Sequence, residues 1–83
     1  MTPHEEISRG ERARQILQDQ MFQEAITAIK GENYKDYLAS TDSNERDEIW
    51  RQAQAILKLE QRLESVMKSG IMARQTLDNG ANP

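Results

Sequence analysis

The sequence predicts an all-α protein of three helices, with a long C-terminal helix over about residues 44–78 packed antiparallel on two shorter N-terminal helices. Three observations carry this. Apolar residues recur at helical spacing along nearly all of the 83 residues. One run of five cap and turn residues, Ser40-Thr41-Asp42-Ser43-Asn44, divides the chain near its middle. From Asn44 to about Asp78 only Gly70 stands against a continuous helix.

The first helix opens with Thr2 as its cap, Pro3 at its first position and Glu5 at the capping-box position. Ile7, Gly10, Ala13, Leu17 and Met21 then fall on one side. Gly10 costs about 1 kcal/mol relative to Ala inside a helix, and it suits the close approach of another backbone. Asp19 is a candidate cap for a second helix, whose apolar stripe is Phe22, Ala25, Ile26, Ile29 and Tyr37. Spacing alone leaves open whether these are two helices or one rod bent near Gln18-Asp19-Gln20.

In the third helix Glu45, Asp47 and Glu48 collect negative charge in the first turns, where the macrodipole favours it. Asp47 with Arg51 and Glu64 with Lys68 are correctly oriented i,i+4 pairs. Ile49, Ile56, Leu63, Gly70 and Leu77 repeat every seven residues, with Leu59, Val66 and Ala73 three residues after three of them. That is an a/d seam, imperfect at Gln52 and Gly70. Trp50, Ala53, Leu57, Met67 and Ile71 add a second apolar flank, wider than one partner helix covers. A helix of this span is about 50 Å long, roughly twice the diameter of a compact domain of this size. The expectation is one helical domain over 1–78, able to oligomerise, followed by a loose tail over 79–83.

Composition narrows the function. The chain is 36% hydrophobic and 30% charged, with a mean hydropathy of -0.88. No apolar run approaches a membrane span or a signal-peptide core, so a soluble chain that is neither secreted nor membrane-spanning is expected. There is no cysteine and one histidine, His4, which removes thiol chemistry and helical imidazole metal sites. Glu60 with Glu64, and Glu32 with Asp36, share helix faces, but neither pair has an apolar enclosure to shift its pKa for acid–base work. No catalytic residue, cofactor or metal ligand is expected.

Net charge is -3, and both halves mix the signs evenly. Arg9, Arg12 and Arg14 form the densest basic cluster and the one candidate for an anion or DNA contact. Glu5, Glu6 and Glu11 surround it, and the face the second helix would present to a groove, Gln23, Glu24, Thr27 and Lys30, holds one lysine, so nucleic acid is the weaker reading. The protein reading is an interface built from Tyr34, Trp50, Leu57, Met67 and Ile71; for the aromatics it stands behind the reading in which Trp50 and Phe22 anchor the core.

Residues 9–77 also carry a resemblance. Gly10-Glu11-Arg12-Ala13, Met21-Phe22-Gln23-Glu24-Ala25, Glu45-Arg46 with Trp50, and Leu57, Leu59, Leu63, Glu64, Gly70 and Leu77 together resemble small helical proteins of the tailed-phage head and packaging gene region. Tyr37 departs from that pattern, standing where a tryptophan is expected. The resemblance implies phage origin and a non-enzymatic part in the virion, its assembly or DNA packaging. Its implied partners are a copy of itself or a capsid, portal or packaging component, and its implied location is the host cytoplasm or the virion. It brings no catalytic residues. The competing class is a regulatory binder of a host defence complex or of nucleic acid.

Overall fold

A computed structural model describes residues 1–80 and shows three helices: α1 over Pro3–Gln18, α2 over Gln20–Ala39 and α3 over Ser43–Gly80. Strands are absent among the described residues. α1 and α2 lie end to end along α3 and antiparallel to it, as expected. The body measures 63 × 24 × 16 Å, with a radius of gyration of 18.0 Å. A compact domain of this length has a radius of gyration of about 12 Å. Since one helix is about 10–12 Å across, the molecule is a ribbon two helices wide and hardly more than one thick.

Capping chemistry decides where each helix begins. Thr2 Oγ1 accepts from Glu5 N at 3.2 Å, and Pro3 occupies the first turn, where its missing N–H costs nothing. The N-terminal pair is two helices rather than a bent rod. Asp19 adopts extended φ/ψ, closes α1 by donating its N–H to Ile16 O at 3.2 Å, and caps α2 by accepting from Phe22 N at 2.8 Å. Gln23 Nε2 reaches back to donate to Leu17 O at 2.9 Å, satisfying a carbonyl that the end of α1 leaves without a helical partner.

The turn between α2 and α3 is similarly self-contained. Ser40 is buried; its Oγ accepts from Asp42 N at 3.3 Å and donates to Asp42 O at 3.2 Å. Asp42 Oδ1 accepts from Asn44 N at 2.9 Å to start α3. Arg46 donates from Nε to Ser40 O at 2.8 Å and lays its guanidinium 5.5 Å from the centre of the Tyr37 ring.

α3 runs 38 residues, longer than the span expected from the sequence. Asn79 and Gly80, assigned above to a loose tail, are helical; the rest of that tail, 81–83, lies outside the described residues. Gly70 does not interrupt the helix. It meets Gly10 where α1 and α3 cross, and a Cβ built on Gly70 falls 2.8 Å from Gly10 Cα and 2.9 Å from Glu6 O. The two backbones touch there because neither residue has a side chain. Ala73 and Ala13 continue this tight seam and are buried. In α3's first turns the ion pair that forms is Arg51 with Glu48 at 3.4 Å, in place of the expected pairing of Arg51 with Asp47.

The seam between α2 and α3 is built differently, from Ile26 and Ile49, both buried, with Phe22, Ile56 and Leu63 half-buried. No small residues bring the backbones together there, and α3 packs more extensively on α1 than on α2. Asn33 sits half-buried on the inward stripe, with its amide nitrogen shielded and unpaired within the chain. Among the described residues Ala13, Ile26, Ile49 and Ala73 are the buried hydrophobic ones, and no large side chain is fully enclosed. A two-helix ribbon has one line of burial, so a wide apolar arc on α3 necessarily remains partly in water.

A candidate interaction face at the open end of the ribbon

Helical register explains which side chains that geometry leaves uncovered. With Ile49, Ile56 and Leu63 directed at the seam, Trp50, Leu57, Glu64 and Ile71 form a parallel row about 100° round the helix. Trp50 is 58% exposed, Leu57 42% and Ile71 51%. On α2, Tyr34 and Leu38 are one turn apart on the side that turns toward the same face, and both are about two-thirds exposed, at 67% and 62%. Antiparallel packing brings the C-terminal half of α2 level with the N-terminal half of α3. Tyr34, Leu38, Trp50 and Leu57 therefore make one apolar strip beside the α2–α3 turn, at the end of the ribbon whose face stands open to water.

The strip rests on an ordered base. At one end lies the Ser40–Asp42 turn with Arg46 over Tyr37. Toward the middle of the ribbon Lys30 Nζ on α2 is 2.8 Å from Glu60 Oε1 on α3, where Glu60 is largely covered and Lys30 half exposed. Beyond Glu60 the row passes Glu64 before it becomes apolar again at Ile71.

The five residues expected to form an interface thus share one side of the molecule, in two groups. Tyr34, Trp50 and Leu57 belong to the open-end strip. Ile71 lies near the α1–α3 crossing, in a shallow open groove lined by Ile7, Glu11, Arg14, Met67 and Arg74. Met67 is half-buried in the helix packing there and offers little free surface. Reading Trp50 as a core anchor is incorrect: a ribbon has no second layer to enclose it, and only Phe22 of that pair is half-buried. Leu38 is the strip residue that sequence reasoning missed; it falls off the apolar stripe of α2, and only the placement of α3 puts it beside Trp50.

Comparison with known protein families, with curated proteins and with solved structures finds no match for this chain. What the molecule can do is therefore argued from its own surfaces.

The basic cluster converges only in part. Arg9 and Arg12, three residues apart, share an exposed face of α1, whereas Arg14 projects elsewhere and is committed to its neighbours. Its Nε donates to both Glu11 carboxylate oxygens at 3.0 and 3.1 Å, its Nη2 pairs with Glu11 Oε1, and its Nη1 donates to Gln18 Oε1 at 2.7 Å. That hydrogen bonding holds the Glu11 carboxyl below the usual carboxylate range, aided by the charges of Arg14 and Arg74, and raises Arg14 in turn. A guanidinium so engaged has little left for a phosphate. Of the two carboxylate pairs, Glu32 and Asp36 are both exposed, while Glu60 is tied to Lys30 and its neighbour Glu64 is exposed.

Proposed function

We propose that this chain is a non-enzymatic helical interaction protein that binds a protein partner through the open-end strip, serving a tailed phage as a minor virion component or a head-assembly and packaging accessory. The observation that supports the binding mode is the strip itself. Two aromatic and two leucine side chains stand in water on rigid helices, at the end where the seam beneath them is thinnest. Large apolar residues held in a fixed array are the usual anchors of protein interfaces. The phage setting rests on the resemblance of residues 9–77. The acidic residues interleaved with the arginines and the Arg14–Glu11 pairing favour a protein partner over nucleic acid.

Mass spectrometry of purified particles of the encoding phage tests the biological role. Recovery of the chain in stoichiometric amount supports a virion component. Its abundance in infected cells but absence from both particles and assembly intermediates overturns that role in favour of a regulatory binder. Direct DNA contact is tested separately by binding at about 50 mM salt, where a phosphate-binding protein is at its tightest; no binding is expected.

A further inference from the structure

We infer that the occupant of the open-end strip is a second copy of this chain, joined across a twofold axis that sets the two α3 helices antiparallel with their Ala53 residues facing each other. Two observations select a second copy over an unrelated protein. The first is area. The chain exposes 6647 Å² of solvent-accessible surface. A compact monomer of its 9.6 kDa exposes about 5,100 Å², so this ribbon carries roughly 1,500 Å² more than its mass requires. A standard interface takes about 800 Å² from each partner, and obligate homodimers take more. The surplus is of the size that pairing with an equal ribbon removes.

The second observation is self-complementarity, which a twofold contact demands of a single surface. Ala53 is exposed and small, between Trp50 and Leu57. Arg46 stands seven residues before it and Glu60 seven residues after, on the same helical row. An antiparallel twofold at Ala53 therefore places Arg46 of each copy opposite Glu60 of the other, and Trp50 of each beside Leu57 of the other. The two alanines let the helices approach. Both charged residues have capacity left: Arg46 donates to Ser40 through Nε, leaving its terminal nitrogens, and Glu60 meets Lys30 through one oxygen. Ion pairing occurs twice by symmetry, and Tyr34 and Leu38 flank the contact from α2. Glu64 marks the limit of the paired segment, since it ends the apolar row.

This inference rests on the interaction reading above and narrows it to one partner. Sedimentation velocity from about 1 µM to about 100 µM tests it with the intact chain. A species of twice 9.6 kDa is expected. Leu57→Glu is expected to weaken pairing by on the order of tenfold or more, while Ile71→Glu, on the same row beyond Glu64, leaves it unchanged. Because the chain has no native cysteine, Ala53→Cys reports the axis directly. Helices packed 8–10 Å apart bring facing Cα atoms to about 4–6 Å, within disulfide reach. Mild oxidation is expected to join Ala53→Cys chains covalently and to leave Ser65→Cys chains single. Far-UV circular dichroism checks that each variant keeps its helices. A wild-type chain that stays at 9.6 kDa throughout overturns the self-pairing, as does oxidation joining both cysteine variants equally. Self-pairing and partner binding fail separately. A monomer leaves the strip free for another protein, whereas the interaction reading itself falls if Trp50→Glu with Leu57→Glu leaves the phage's particle yield unchanged.

Discussion

Replacing Gly70 by alanine sets two effects of similar size against each other, and the structure decides the sign. Alanine is the better helix former by about 1 kcal/mol, which alone would stabilise α3. The new methyl group, however, lies 2.8 Å from Gly10 Cα and 2.9 Å from Glu6 O. Ordinary carbon contacts are about 3.5–4.0 Å, so α1 must withdraw by most of an ångström. Both obstacles are backbone, and no rotamer change can relieve them. Withdrawal also loosens Ala13 and Ala73, two of the four buried hydrophobic residues among those described. Overpacking of this kind costs about 1–3 kcal/mol, leaving a net destabilisation of up to about 2 kcal/mol once propensity is credited.

Gly31 supplies the control. It lies in the middle of α2 with nothing within 4 Å of its ideal Cβ. Gly31→Ala is expected to raise stability by about 0.5–1 kcal/mol. Thermal melting followed at the helical dichroism band, at one fixed concentration since pairing makes Tm concentration-dependent, separates the two. At about 4–8 °C per kcal/mol for a domain of this size, Gly70→Ala is expected to lower Tm by up to about 15 °C and Gly31→Ala to raise it by a few degrees. Should Gly70→Ala raise Tm as much as Gly31→Ala does, α1 and α3 do not meet backbone to backbone, and the crossing described above is wrong.

Three further predictions follow from the same reasoning. Asp19→Ala removes the cap that accepts from Phe22 N and is expected to cost about 0.5–2 kcal/mol, measured by urea denaturation; no change in midpoint would mean the break between α1 and α2 is held by something other than this cap. Ile49→Ala empties the best-buried large side chain of α3 and is expected to cost about 2–3 kcal/mol, near the low end of core truncations because the ribbon can close on the gap. Glu11 contributes stability when ionised, since its folded pKa lies below the usual 4.5. That contribution is present above the unfolded value and lost as pH falls through the folded one, so Tm is expected to fall less between neutral and strongly acidic pH in Glu11→Gln than in wild type.

Much of the fold is legible in the sequence because helices are local. The caps at Thr2 and Asp19 and the turn beginning at Ser40 use side chains within three residues of the backbone groups they satisfy, so residue type and position suffice to place them. The seven-residue repeat from Ile49 to Leu77 likewise announces a long helix with one buried edge. Over-length was legible too: α3 exceeds any compact domain of 83 residues, and the ribbon's dimensions bear that out.

Other features depend on what lies across the seam. Gly70 reads as a flaw in a heptad pattern until α1 is placed against it, when it becomes, with Gly10, the closest contact between the two helices. Trp50 reads first as a core anchor, and only a ribbon one layer thick decides that it stays in water. Leu38 joins Trp50, and Lys30 meets Glu60, through the antiparallel register of α2 on α3, which no residue spacing within either helix specifies. By itself the sequence determined an all-helical chain, its candidate caps and which edge of each helical stretch is apolar, because those depend on interactions within a turn or two; that α1 and α2 are separate came from the structure. The tertiary structure decided which apolar residues are buried and which remain as an interface, because burial depends on the helix opposite.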